Sequence, residues 1–250
     1  MFKKLFMSKG WTVSALFAIS LALYGIDFTI FGNLRGISAS FLGNLAFLPI
    51  YIIVVTLLFE RVLRERERQS VMRKLNMVIG VFFSEFGNRL LKELSVHVVG
   101  SEELKKRLRM SASWKKEDFE AALDYLRQNN QRINIDSGAL PGLKQFMVGK
   151  RSFLLSLLEN QNLLEHENFT DLLWAAFHTI EELEARAAFD GIPSSDQEHI
   201  NGDIKRVFGH LIREWLLYMQ HLKEDYPYLF SLAVRLNPMI DSPDPVVYQE

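Results

Sequence analysis

Five of the six histidines in this 250-residue chain lie between His166 and His221, and four of those five are followed four residues later by a carboxylate. The pairs are His178/Glu182, His199/Asp203, His210/Glu214 and His221/Asp225. On a helix, that interval puts both side chains on one face. Imidazole–carboxylate pairs projecting inward from helices are how di-metal carboxylate bundles hold their ions. His178, Glu182, His210 and Glu214 are therefore the candidate metal ligands, and iron, manganese or zinc is the ion such donors suit. A metal-dependent oxidoreductase is the corresponding activity.

A helical wheel weighs against that chemistry. Leu172, Leu173, Ala176, Ile180 and Leu183 form the apolar stripe of one helix, and His178 points away from it. Ile204, Phe208, Leu211, Trp215, Tyr218 and Leu222 form the stripe of the next. His199, His210 and His221 recur every eleven residues and line up on its flank. A di-metal site needs ligands that converge on an interior. The expectation is therefore a set of partly solvated pairs, each worth about 0.3–0.5 kcal/mol, with no cofactor. A metal site requires the His178 face to meet the His210 face, on another helix or another subunit. A third reading is a pH response, because histidine titrates near neutrality and a neighbouring carboxylate raises its pKa.

Other chemistry has no foothold. The chain has no cysteine, which excludes disulfides, thiolate metal sites and a cysteine nucleophile. A net charge of −1 argues against nucleic acid as a partner. The phosphate-binding, dinucleotide-binding and nucleophile-elbow glycine motifs are absent. His166-Glu167 is followed by Thr170 where a zinc-protease helix needs its second histidine. The expectation is a protein that is not an enzyme.

The elements that carry these residues begin with two apolar runs. Residues 11–31 contain a single charge, Asp27, and residues 41–59 contain none. At about 1.5 Å of rise per residue, each run spans about 30 Å, the thickness of a hydrocarbon core. With residues 32–40 as the turn, they read as a transmembrane hairpin within residues 1–59. A cleaved signal peptide fits less well, since the first run is long and a second follows at once. Lys3, Lys4 and Lys9 precede the first run, and Arg61, Arg64, Arg66 and Arg68 follow the second, whereas the turn carries only Arg35. The positive-inside rule makes this a multi-pass protein of the cell inner membrane with both termini cytoplasmic. The four arginines meet anionic headgroups at about 1 kcal/mol each. Asn44 and Pro49 lie within the second run and are candidate pore or hinge positions.

Residues 60–95 read as a basic juxtamembrane connecting helix. Val71, Leu75, Val78, Phe82 and Phe86 form its stripe, and Met77 to Phe83 is apolar on nearly every side, which predicts burial on most sides, by its own domain, a neighbouring subunit or the lipid interface. Residues 96–236 read as a cytoplasmic helical domain and 237–250 as an irregular, proline-bearing tail. Ser101 and Ser113 are expected to cap helices, the second running to Asn129. Pro141 opens a helix to Leu158, Glu165 begins one to Phe189, Ser195 or Asp196 caps one to Asp225, and Pro227 opens one to Leu236. Ile133 and Ile135 alternate in a stretch too short for a strand. Trp174, Trp215, Tyr218, Tyr226, Tyr228 and Phe230 enrich the C-terminal half in aromatics, and Tyr226-Pro227-Tyr228 is either core or a docking edge.

The whole is all-α: a two-helix integral membrane hairpin followed by a cytoplasmic helical domain. A two-span hairpin buries little within itself, so a homo-oligomer is expected beside the lipid bilayer, with a further protein partner on the cytoplasmic side. The function expected is a membrane-anchored oligomeric scaffold or signalling protein. An oligomeric ion channel lined by the second span is the alternative, and a membrane-anchored oxidoreductase using the histidine–carboxylate ligands is a further one.

Overall fold

The computed structural model describes residues 18–30, 32, 34–160, 163 and 166–247. The fold is all-helical, 77% helix, with no strand among the described residues. An isolated antiparallel bridge joins Val98 to Ile133, where the alternating isoleucines stand buried. Two compact units divide between Arg68 and Gln69.

In the first unit, α1 is Ala18–Ile30. Residues 11–17 and 31 of the expected first span, with the basic N-terminal arm, lie outside the described residues. Gly32 closes α1 from the left-handed region at φ 59°, and its N–H donates to the Phe28 carbonyl at 2.9 Å. The next helix, α2, is Leu34–Phe82. It begins inside the expected turn 32–40, since helix already starts at Leu34 and runs on through Gly36. Among the described residues, one helix is long and apolar enough to cross a membrane, Ala39–Glu67, and none of its apolar window is buried.

In the second unit, the end of α2 passes into a π-helical turn, Phe83–Gly87, and then α3, Asn88–Ser95. The wider turn sends Phe82, Phe83 and Phe86 all into the core. Phe82 meets Phe169 edge-on at 5.0 Å between centroids, while Phe83 stacks on Tyr218 and Phe86 on Phe146. Gly87 permits this crowding, since a Cβ there would stand 2.6 Å from Phe83 Cδ1. Ile79, Phe82 and Phe83 are buried while Met77 and Val81 are 63% and 51% exposed, so within one chain the domain covers one side of Met77 to Phe83.

Among the described residues, the chain continues through α4 Ser101–Leu108, α5 Lys116–Gln128, α6 Leu140–Gly149, α7 Arg151–Leu158, α8 Glu167–Ala185, α9 Ser194–Asp225 and α10 Pro227–Arg235. Several ends differ from expectation. Helix α4 does begin at Ser101, with Glu102 and Glu103 in its first turn, but Gly100 and not Ser101 holds the cap position. Ser113 pairs with Ser111, and α5 is closed by the Asp118 carboxylate, which accepts the Lys115 N–H at 2.7 Å. The helix from Pro141 breaks at Lys150, just after Gly149, into α6 and α7. His166 caps α8, its Nδ1 accepting from the Phe169 N–H at 3.2 Å. Helix α8 stops at Ala185, and Phe189 is buried from the connection beyond it.

Helix α9 is the centre of the unit, packing against α8, α10, α5 and α3, while α6 and α7 cover α8. Both stripes face inward as drawn on the wheel. Leu172, Leu173, Ala176, Ile180 and Leu183 are buried, as are Ile204, Phe208, Leu211, Trp215 and Leu222. Residues 237–247 hold no helix, yet their start is fixed. Asn237 is fully buried, its amide donating to the Leu108 carbonyl at 2.9 Å, and Lys105 pairs with Asp241 at 2.6 Å.

Candidate functional site

Helices α8 and α9 are consecutive, joined by residues 186–193, and form a helical hairpin. In a hairpin, residues equally far from the turn face one another. His178 stands seven residues before the end of α8, and His199 five after the start of α9. The i, i+4 spacing then carries Glu182 beside His178 and Asp203 beside His199.

The four side chains share one small space. His178 Nε2 lies 3.9 Å from Glu182 Oε1 and 3.5 Å from Asp203 Oδ2. His199 Nε2 lies 3.6 Å from Glu182 Oε2 and 3.4 Å from the same Asp203 oxygen. Ligand atoms of His178, Glu182 and Asp203 fall within 4.8 Å of one another. The imidazoles are about half exposed, whereas Asp203 is only 3% exposed.

Two arginines hold the carboxylates from outside. Arg186 donates to Glu182 Oε2 at 2.7 Å and grips both oxygens of Asp196 at 2.6 and 2.9 Å. Asp196, expected as a helix cap, is thus tied to Arg186 instead. Arg206 donates to Asp203 Oδ1 at 2.8 Å. The hydrogen bond from Arg186 holds the Glu182 carboxyl below the usual carboxylate range, with the nearby imidazoles of His199 and His178 acting in the same direction. Arg186 likewise lowers Asp196, and its own pKa is raised, chiefly by Asp196. Asp203 Oδ2 is buried and accepts no hydrogen bond. Chemically, this is a pair of imidazoles and a pair of anionic oxygens around one gap, able to bind a cation or to share protons.

The structure separates the ligands proposed from spacing. His178 and Glu182 are in the cluster; His210 and Glu214 are not. His210 lies seven residues beyond Asp203, about 10 Å further along α9. It lines an open cleft with Arg206, Arg213, Asn129 and Asn130, and burial pushes its pKa down. Glu214 is 3% exposed, its Oε1 has no hydrogen-bond partner, and burial pushes its carboxyl up to about 7. His221 Nδ1 pairs with Asp225 at 2.8 Å, as its spacing implies. His199 and Asp203 are the residues that the ligand set omitted. Their shared H-x-x-x-[DE] spacing was a visible signal, but the meeting with His178 depends on the length of the 186–193 turn.

The residues proposed to meet the membrane lie on α2. Arg61, Arg64 and Arg66 are exposed, and Arg64 pairs with Glu60 at 3.5 Å. The Arg68 side chain falls outside the described ones. Asn44 is exposed and Pro49 lies within the helix.

Comparison with known proteins finds two family models along this chain. Residues 71–235 match one described as the C-terminal helical domain of uncharacterized protein MJ1433, and residues 3–63 match one for the N-terminal helical domain of MJ1433. A protein of Methanocaldococcus jannaschii named "Uncharacterized protein MJ1433" is 41% identical over 223 residues, covering 89% of this chain and 90% of that protein. No solved structure matches.

Proposed function

The chain belongs to the MJ1433 family, and on that premise we propose that it is a membrane-anchored interaction protein. Residues 1–59 form a transmembrane hairpin, both termini stay in the cytoplasm, and the helical unit from Gln69 onward binds partners or further copies of the chain. It works as a scaffold and not as an enzyme.

The observation that carries this reading is the uncovered helix Ala39–Glu67. Phe41, Phe47, Ile50, Ile53, Leu57 and Phe59 are each 54–64% exposed. Burying a large apolar side chain is worth about 1.5–3 kcal/mol, so a row of them left in water is a large standing cost that a bilayer removes. The Arg61, Arg64 and Arg66 side chains follow where anionic headgroups begin, at about 1 kcal/mol each. Self-association is supported by the same face, since two spans cannot cover each other on every side.

Fractionation of cells expressing the full chain tests the proposal. The protein is expected to stay with membranes through an alkaline carbonate wash, to enter solution with detergent, and to crosslink into dimers or larger species in native membranes. Recovery in the carbonate supernatant would overturn the anchor. Exclusive monomers after crosslinking would overturn the self-association.

A further inference from the structure

We infer that the cluster between α8 and α9 is a binding site for one divalent first-row transition ion, of which zinc fits best. His178 Nε2, Glu182 Oε1 and Asp203 Oδ2 are the ligands, and His199 is placed to complete the set. This does not rest on the membrane reading, since every residue involved lies in the second unit.

Four observations converge. The first is Asp203 Oδ2, which is buried without a hydrogen bond and sits 3.5 and 3.4 Å from the two histidine nitrogens. A buried carboxylate oxygen with no donor is costly unless something positive meets it. The second is spacing. Bonds of about 2.0–2.1 Å at tetrahedral angles place neighbouring ligand atoms about 3.3 Å apart. The separations of His178 Nε2 from Asp203 Oδ2 and Glu182 Oε1, 3.5 and 3.9 Å, close on that edge with small rotations of half-exposed side chains.

The third is the division of labour within each carboxylate. Arg206 takes Oδ1 of Asp203 and Arg186 takes Oε2 of Glu182, so each acid keeps one oxygen for the gap. Metal-binding carboxylates are oriented by outer partners in this way. The fourth is charge and donor type. Glu182, Asp203 and Asp196 stand against Arg186 and Arg206, which leaves the group net negative when the imidazoles are neutral. Imidazole nitrogens select zinc or iron over calcium and magnesium, which prefer all-oxygen shells.

Metal binding to the full chain in detergent, stripped with chelator and titrated at pH 7.5 against a chromophoric competitor, tests the site. Zinc, manganese and ferrous ions are each used as probes, with calcium and magnesium as controls. One transition ion per chain is expected. Asp203→Asn, which keeps the side chain's shape, and His178→Gln, at an exposed position, should each weaken binding at least tenfold while leaving the circular dichroism spectrum unchanged. His210→Gln and Glu214→Gln should leave binding as it is. The inference is overturned if no transition ion binds stoichiometrically, if calcium or magnesium binds as tightly, or if the His210 and Glu214 substitutions weaken binding as much as those at His178 and Asp203.

Discussion

Nε2 of His178 stands 3.5 Å from an oxygen of Asp203 that is buried and accepts no hydrogen bond, across the interface of α8 and α9. The other Asp203 oxygen is held by Arg206 at 2.8 Å. This division makes Asp203 the pivot of the cluster. In metal-free protein, Asp203→Asn should change unfolding free energy by less than about 1 kcal/mol. The lost ion pair with a half-exposed arginine is offset by removing an unmatched anionic oxygen. Added zinc should then raise the melting temperature of the parent chain and leave that of the variant unchanged, as differential scanning fluorimetry can record.

Glu214 makes the stability of the chain depend on pH. Its folded pKa, about 7, lies above the ordinary value of 4.5 because the carboxyl is desolvated. The folded state therefore holds this proton more tightly than the unfolded one. Its contribution is favourable at low pH, is lost as pH rises from about 4.5, and levels off above about 7. The full loss is of the order of 3 kcal/mol. Glu214→Gln should be near neutral at pH 5 and more stable than the parent by about 1–3 kcal/mol at pH 8, read from urea unfolding of the full chain in detergent.

Gly87 is the close-approach point of the π turn. Gly87→Ala would place a Cβ 2.6 Å from Phe83 Cδ1 and 2.9 Å from Phe82 Cε1. Both rings are fully buried and cannot retreat into solvent. The substitution should cost about 1–3 kcal/mol by overpacking. The same urea titration gives the value, and an unchanged midpoint would contradict the packing described.

Phe82 touches three rings, Phe83, Phe86 and Phe169. Phe82→Ala should cost about 3–5 kcal/mol, the range for emptying a fully buried aromatic site. A loss under about 1 kcal/mol would mean that this cluster is not the core of the second unit.

Periodicity made much of the helical unit legible. The stripes of α8 and α9 are buried at the positions the wheel assigns, and Pro227 opens α10, because burial of one face and the missing proline N–H are local facts. What the wheel does not contain is the partner of each face. It places His178 away from its own core, yet α9 lies there, and Asp203 of α9 is buried where the two helices meet. It equally groups His199 with His210 because they are collinear, although the hairpin turn decides which of the two meets α8. The break at Lys150 and the π turn at Phe83 escaped for another reason. Both are small adjustments of backbone winding driven by packing, and neither needs a proline.

Because the chain has no native cysteine, its path across the membrane can be read directly from single introduced thiols. Arg35→Cys and Ser195→Cys are labelled separately in intact cells with a membrane-impermeant maleimide. The predicted result is that the residue 35 position reacts from outside and the residue 195 position reacts only after permeabilisation. Labelling at residue 195 in intact cells, or protection of residue 35 until lysis, would contradict the topology.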